Sequence, residues 1–163
     1  MKLPILIIKL LLLIVLIPSI LNGCSYHYLL PKGPALTTAK AIGTGKDSFV
    51  INAYKNTDKK TIRVWTYKPR QWQQGDKILF VMHGMGRNGE DYLNTWVSVA
   101  QQHSVLLIAP EFHNKYFRYT TNDYQDGNLY DFFGRQNPKS EWAFQVIENI
   151  IEHINQNNPF DID

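Results

Sequence analysis

The residues with the clearest chemical potential form a short glycine-rich segment, His83, Gly84, Met85 and Gly86, with Gly89 close behind it. Glycine has no side chain, so such a segment lets the backbone turn tightly and approach a bound molecule closely. It directly follows the apolar residues 78–82, and ligand sites of open α/β sheets lie beyond the carboxyl ends of the strands. Composition and position together favour a binding or catalytic loop. The alternative is an ordinary glycine-rich turn between a strand and a helix.

Two other groups of residues suggest a ligand site without completing one. Residues 43–46 are similar to part of a phosphate-binding loop, but Lys40 stands where its first glycine is required and Asp47 where it needs Ser or Thr. Glu111 and His113 are both possible metal ligands, yet two side chains on one loop do not make a metal site. We therefore expect no nucleotide, no metal and no other cofactor, and a structural or pocket-lining role for Glu111 and His113.

Residues 1–23 differ in composition from the rest of the chain. Lys2 gives a positive start, an apolar run follows, and Pro18 ends it shortly before Gly23 and Cys24. A charged start, a short apolar middle and small residues at a cut site are typical of an export signal. The end of this segment resembles the bacterial lipobox, in which the cysteine thiol receives a diacylglyceryl group and becomes the new N-terminus. We expect Cys24 to be a lipid attachment site in the cell envelope of a bacterium.

An uncleaved membrane anchor is the alternative, because residues 3–21 are long enough to cross a hydrocarbon core of about 30 Å. Lys9 lies within them, although a lysine near one end of such a segment can reach the headgroups. Both interpretations place the rest of the chain at a membrane surface outside the cytoplasm. Ser25, which is not an aspartate, favours the outer membrane by resemblance to enterobacterial sorting signals.

The charge and cysteine content exclude several classes of partner and site. Cys24 is the single cysteine, so the chain can form no intrachain disulfide and no thiolate metal site. The net charge of +3 includes Lys2 and Lys9 of the N-terminal segment, and the remainder is close to neutral. A near-neutral chain gives no electrostatic reason to expect nucleic acid as a partner. The expected partner is the membrane.

The order of elements predicts an α/β fold. Residues 24–46 are rich in proline and glycine and read as a tether, so the fold is expected to begin near Asp47. Residues 48–54 and 61–67 are rich in β-branched and aromatic types and predict an antiparallel hairpin. Residues 78–82 and 105–109 are continuous apolar runs, typical of strands buried on both faces of a parallel sheet.

Two helices and a long loop complete the predicted domain. After Gly89, apolar residues recur at helical spacing and predict one buried face. Its members are Tyr92, Leu93, Trp96, Val97 and Ala100. The aromatic-rich residues 110–134 predict a loop that either lines a cleft or packs under the sheet. In the last helix, Asn137 is the expected cap and Pro138 the first turn, and residues 157–159 end it. The predicted buried stripe is Trp142, Ala143, Val146, Ile147, Ile150, Ile151 and Ile154.

A strand followed by His-Gly-x-Gly and then a helix resembles the oxyanion loop of α/β-hydrolases. Other segments are similar, in the same order, to secreted esterases and poly(3-hydroxybutyrate)-depolymerase-like hydrolases. These segments are residues 63–69, 107–112, 116–117 and 124–128, and Trp142. The resemblance implies that the chain is the N-terminal half of an α/β-hydrolase fold in which a backbone N–H of Met85 stabilises an oxyanion and His83 braces the loop. The implied organisation is a lipoprotein signal peptide (1–23), a tether (24–46) and a partial α/β-hydrolase domain (47–163).

The resemblance also implies catalytic residues that these 163 residues do not contain. The family's serine lies in a Gly-x-Ser-x-Gly turn, and no such sequence occurs here. Ser98 falls within a predicted helix and Ser104 opens a predicted strand, so neither is a credible nucleophile, and we expect no catalytic serine, acid or base. Three hypotheses stay open: a truncated ester hydrolase that is inactive alone, a non-catalytic surface-binding lipoprotein, and one half of a split hydrolase.

Overall fold

The computed structural model describes residues 34–37, 41–55 and 57–162. All of them belong to one compact unit, Lys32–Asp163. The predicted signal segment and Cys24 lie outside the described residues. Within the described residues, every helix is too short or too polar to span a bilayer.

Within the described ranges, four strands form one mixed sheet. They are β1 (Gly45–Tyr54), β2 (Thr57–Lys68), β3 (Ile78–Phe80) and β4 (Leu106–Glu111), in the order β1-β2-β4-β3. The predicted hairpin is confirmed, since β1 and β2 pair antiparallel with Ile51 opposite Ile62. β2 also pairs antiparallel with β4, whereas β3 runs parallel to β4. Among the described strands β3 pairs with β4 alone, so its other edge is open.

The two apolar strands differ in length from their predicted ranges. β3 ends at Phe80 rather than residue 82, although the Val81 N–H still donates to the Ile108 carbonyl at 2.8 Å. β4 continues past residue 109 to Glu111 because the long strand β2 keeps pairing with it, with Arg63 opposite Glu111. All six residues of β4 are buried, as expected for a strand covered on both faces.

A helix packs on each face of the sheet. Helix α1 (Gly89–His103) follows β3, and helix α4 (Ala143–Asn157) is the last of the described helices. Alternation along β2 and β4 divides their side chains between two clusters. Ile62, Val64, Leu106 and Ile108 face the α4 side with Val146, Ile150 and Ile154, and Leu107 and Ala109 face the α1 side with Leu93 and Ala100. These are the layers of an α/β domain.

The buried face of α1 is narrower than predicted. Leu93 and Ala100 are fully buried and Val97 is partly buried, whereas Tyr92 and Trp96 are exposed. Successive residues are rotated by about 100° around a helix, so the positions that precede Leu93 and Val97 fall on the flank of this stripe. The prediction was wrong for Tyr92 and Trp96.

The predicted start of the last helix was also wrong. Residues Lys139–Glu141 form a 3₁₀ turn, Trp142 is extended, and α4 begins only at Ala143. The side chain of Asn137 does not cap the helix, because its Nδ2 donates to the Asn128 carbonyl at 3.0 Å. The helix ends at Asn157 as predicted, and Ala143, Val146, Ile150 and Ile154 are buried. Ile147 and Ile151 are partly buried, and the unpredicted Asn149 is buried, with its Nδ2 donating to the Ala53 carbonyl at 2.8 Å.

The folded unit begins earlier than the boundary near Asp47 that the sequence predicted. Ile42, within the predicted tether, is buried in the core, and its N–H donates to Asn158 Oδ1 at 2.7 Å. Thr37 exchanges hydrogen bonds with Val50, through its N–H at 3.0 Å and its hydroxyl at 2.9 Å. Part of the predicted tether therefore belongs to the domain, because an apolar residue there finds a place in the core.

Helix α4 offers a matched test of this packing. Ile150 is fully buried, whereas Phe144 on the same helix is 73% exposed. Replacing Ile150 with Ala leaves a cavity, so we expect the free energy of unfolding to fall by about 2–5 kcal/mol. Phe144→Ala is expected to change it by about 0.5 kcal/mol or less. Urea denaturation measures both, and equal effects would contradict the placement of α4.

Candidate active-site loop

The four residues predicted to form the loop lie together in one turn between β3 and α1. The Arg87 N–H donates to the Gly84 carbonyl at 3.2 Å and closes the turn. His83 is buried and Met85 is 80% exposed, so the turn has one side chain fixed in the protein and one in solvent. The turn begins where β3 ends, at the carboxyl edge of the parallel pair β3 and β4.

The buried ring of His83 uses both of its nitrogen atoms. The Phe112 N–H donates to Nε2 at 2.9 Å, so Nε2 carries no proton. The protonated Nδ1 then donates to the Gly84 carbonyl at 3.0 Å. His83 therefore links the turn after β3 to the residue that follows β4, in a single neutral tautomer.

Burial of the ring lowers the pKa of His83 below its ordinary value of 6.5. The hydrogen bond to Gly84 acts against this shift, and the positive charge of Arg87 adds to it. A proton on Nε2 would also displace the N–H of Phe112. His83 is therefore held neutral, with no free lone pair to act as a general base.

Arg87 is a functional candidate that the sequence reasoning missed. Its side chain is buried, and it donates from Nη1 to the Phe112 carbonyl at 3.0 Å and from Nη2 to the Thr120 carbonyl at 3.4 Å. The guanidinium lies 4.9 Å from the centre of the Tyr124 ring, and the Tyr124 hydroxyl donates to the His83 carbonyl. Among the described residues no carboxylate pairs with Arg87, so carbonyl groups and an aromatic face stabilise its charge.

Backbone strain accompanies this arrangement. Arg87 has a φ of 56°, in the left-handed region that costs a non-glycine residue about 1 kcal/mol or more. The buried contacts of its side chain compensate for that cost. Position 87 thus both closes the turn and fixes it to the segment after β4.

The glycines of the turn lie close to two neighbouring side chains. A Cβ atom on Gly84 would lie 2.7 Å from the Tyr92 hydroxyl, and one on Gly86 would lie 2.9 Å from Asn88 Oδ1. The N–H groups of Met85 and Gly86 donate no hydrogen bond to any described residue. The turn therefore presents main-chain donors without side chains in the way, which is the arrangement needed to bind an anionic oxygen.

The other two candidates from the sequence have structural roles. Glu111 Oε2 accepts from Trp65 Nε1 at 2.6 Å, and Gly89 packs against the Glu111 side chain. His113 caps a short helix, α2 (Asn114–Phe117), by accepting from the Lys115 N–H at 3.0 Å. Within the described ranges, no three His, Cys, Asp or Glu side chains meet as a metal site requires.

Two solved structures share this arrangement of elements. LpqC, a poly(3-hydroxybutyrate) depolymerase from Bordetella parapertussis, is 24% identical over 75% of this chain, with a TM-score of 0.64. Poly(aspartic acid) hydrolase-1 from Sphingomonas sp. KT-1 is 28% identical over 71% of this chain, with a TM-score of 0.62. The chain has an α/β-hydrolase fold.

The match covers 43% of the depolymerase and 42% of the poly(aspartic acid) hydrolase, so the chain spans less than half the length of either protein. No protein-family model matches the sequence, and neither does any curated protein. The prediction of the N-terminal half of an α/β-hydrolase fold is confirmed, and its strands lie in the order β1-β2-β4-β3. In this fold the glycine turn lies at the carboxyl end of β3.

The aromatic-rich segment after β4 is partly buried under the sheet and partly lines a cavity. Phe112, Phe117 and Tyr119 are buried under the sheet, which agrees with one of the two predicted alternatives. Short helices interrupt the predicted loop at Asn114–Phe117 and at Thr121–Tyr124, named α3. Beside the open edge of β3, an apolar cavity of about 670 Å³ is lined by Phe80, Met82, Phe112, Tyr124, Phe144 and Ile147, among others.

The state of His83 can be tested by NMR. We expect ¹⁵N shifts that report a protonated Nδ1 and an unprotonated Nε2, and a titration midpoint below 6.5. The unfolded chain takes up this proton with its ordinary pKa, so the free energy of unfolding should fall as the pH drops through 6.5 towards the lowered pKa of the folded state.

His83→Gln is the matched variant, because its amide oxygen can still accept from the Phe112 N–H. The variant should lose part of the pH dependence of the free energy of unfolding. The remaining part reflects His153, because burial also lowers the pKa of that side chain. A His83 that titrates at or above 6.5 would contradict the buried neutral ring.

Proposed function

We propose that this chain supplies the oxyanion-loop half of a serine hydrolase that cleaves carboxylic esters. The observation that carries the proposal is the turn after β3, whose Met85 and Gly86 N–H groups are unpaired among the described residues. Two buried side chains, His83 and Arg87, hold that turn to Phe112. The names of the similar solved structures, a poly(3-hydroxybutyrate) depolymerase and a poly(aspartic acid) hydrolase, support hydrolysis as the reaction, and the first of them supports an ester as the bond cleaved.

In the proposed reaction, the serine attacks the carbonyl carbon of the ester, and the carbonyl oxygen becomes negatively charged. The Met85 N–H donates to that oxygen and stabilises the tetrahedral intermediate more strongly than the planar ester. Because His83 and Arg87 fix the turn in advance, its donors need no rearrangement as charge develops. His83 does not transfer protons, since both ring nitrogens are occupied by structural hydrogen bonds.

The nucleophile must come from residues other than these 163, because the sequence holds no Gly-x-Ser-x-Gly turn. The open edge of β3 is where a further strand of an α/β-hydrolase sheet would add. That strand would belong either to a longer form of the same polypeptide or to a second chain. In both cases the 163 residues alone are inactive.

Ester hydrolysis with and without the missing segment tests this proposal. The 163-residue chain alone should not hydrolyse a short-chain p-nitrophenyl ester, and efficient hydrolysis would contradict the proposal. The chain extended by, or co-expressed with, the region encoded directly downstream should be active. Unrelated downstream sequence with no Gly-x-Ser-x-Gly segment would favour a non-catalytic binding lipoprotein.

In the active form, Met85→Pro removes the proposed donor and should lower kcat by about 10²–10³-fold, the effect of losing one oxyanion donor. Met85→Ala keeps the N–H and removes only the exposed side chain, so its kcat should stay near that of the unchanged protein. Equal losses in both variants would exclude the Met85 amide as the donor.

We also propose that the domain is attached to the outer membrane, outside the cytoplasm, through a lipid on Cys24. The support is the lipobox-like end of residues 1–23, and the alternative is an uncleaved anchor in the same residues. Expressed in a bacterium with labelled fatty acid, the chain should incorporate label and Cys24→Ser should not. Membrane-bound but unlabelled protein in both cases would favour the uncleaved anchor.

A further inference from the structure

The segment from Tyr130 to Gln136, named here the aromatic finger, is a short ordered hairpin that projects from the loop after α3. Tyr130 and Gln136 form a β-bridge, and the Asp131 N–H donates to the Arg135 carbonyl at 2.8 Å. The turn between them depends on Gly134, whose φ is 75°. The base is fixed by Asn122, whose Nδ2 donates to the Tyr130 carbonyl at 3.1 Å.

One carboxylate organises the tip of the finger. Asp131 Oδ1 accepts from the N–H groups of Phe133 at 2.8 Å and Arg135 at 2.9 Å. Asp131 Oδ2 accepts from Arg135 Nε and forms an ion pair with Nη2, both at 2.7 Å. The hydrogen bonds from Arg135 hold the pKa of Asp131 below its usual range. The two charges of the finger therefore neutralise each other within the turn.

The residues held at the tip are two exposed phenylalanines. Phe132 is 97% and Phe133 77% exposed, and their rings meet edge to face at 5.5 Å. A turn of polar residues would be equally compatible with the hydrogen bonds of Asp131, so the fold does not require these side chains. Large apolar side chains that an ordered turn holds exposed to solvent indicate an interaction site for a protein or a membrane.

We infer that the aromatic finger inserts into the interfacial layer of a phospholipid bilayer. The order of residues along the hairpin suits such an insertion. The two phenylalanines lie in the turn, flanked by the internally neutralised pair of Asp131 and Arg135 and then by the half-exposed, amphipathic Tyr130. The Arg135 guanidinium lies 5.3 Å from the centre of the Phe133 ring, so its charge is held beside the tip by the carboxylate and an aromatic face. Aromatic rings with a polar end are favoured at the headgroup level, and the apolar tip would reach about 5–10 Å into the interface.

The charges of the finger indicate what drives this contact. Its only ion pair is internal, so the finger offers no excess of positive charge to anionic lipids. Insertion of the apolar side chains is then the main contribution to the free energy of membrane binding. A zwitterionic phosphatidylcholine surface is therefore sufficient for binding. The inference rests on the proposed membrane attachment, which keeps the bilayer within reach, because a single weak contact gives only marginal membrane binding.

Tryptophan quenching by brominated lipid tests the contact in the full chain. Phe133→Trp places a reporter at the tip, and Phe144→Trp is the matched control, because Phe144 is similarly exposed but lies on α4. With excess phosphatidylcholine vesicles that carry bromine near the headgroup end of the acyl chain, the added emission at position 133 should be lost and that at position 144 retained. Raised salt should not restore the emission.

Introducing Phe132→Asp into the Phe133→Trp chain should abolish the quenching without changing the circular dichroism, because both rings are exposed. Equal quenching at positions 133 and 144 would overturn the inference, as would no quenching at position 133. The latter is the outcome if a protein partner or further residues of the hydrolase domain cover the finger. Flotation of the same vesicles reports the proposed attachment separately.

Discussion

The backbone of Phe112 is held on both sides by side chains from the turn that follows β3. Its N–H donates to His83 Nε2 and its carbonyl accepts from Arg87 Nη1. Since Phe112 directly follows β4, these two bonds fix the exits of two parallel neighbouring strands relative to each other. The position of the Met85 and Gly86 donors depends on this link. Within residues 83–86, His83 is the one residue whose side chain is buried, and Arg87 follows directly. A turn that is already rigid when charge develops is the condition for electrostatic catalysis.

The open edge of β3 belongs to the same arrangement. Its backbone groups have no strand partner on that side among the described residues, and an apolar cavity lies beside it. Unpaired strand edges beside apolar surface favour association with another strand. A strand added here would emerge at the carboxyl edge next to the Met85 and Gly86 donors. The proposed oxyanion donors and the proposed position of a nucleophile strand therefore both lie next to β3.

The sequence predicted the features that depend on local pattern. The β-branched and aromatic residues 48–54 and 61–67 pair as a hairpin because their alternation suits a strand on its own. Residues 106–109 of the continuous apolar run lie in β4, because a short apolar run suits a strand that is covered on both faces. The position of the glycine turn followed from its place after such a strand. These features need no information about distant residues.

Features that depend on distant partners could not be predicted in this way. Arg87 reads as an exposed cation between polar residues, and only the fold brings the carbonyls of Phe112 and Thr120 to it. Asn137 has the right type to cap a helix, but Asn128 competes for its side chain. The width of the buried face of α1 depends on how closely the sheet approaches it. The predictions of the Asn137 cap and of the buried face of α1 were wrong because tertiary contacts outweighed local preference.

One segment after β4 connects the glycine turn that follows β3 with the aromatic finger. Thr120 accepts from Arg87, and Tyr124 packs on Arg87 and donates to His83. Between these two residues, Asn122 of α3 donates to the carbonyl of Tyr130 at the base of the finger. The contacts are continuous and mostly hydrogen-bonded, so we expect the finger and the turn to move together rather than as two independent loops. A bilayer contact at Phe132 and Phe133 would then fix the direction in which the Met85 donors face, and an ester held at that surface would meet them in one orientation.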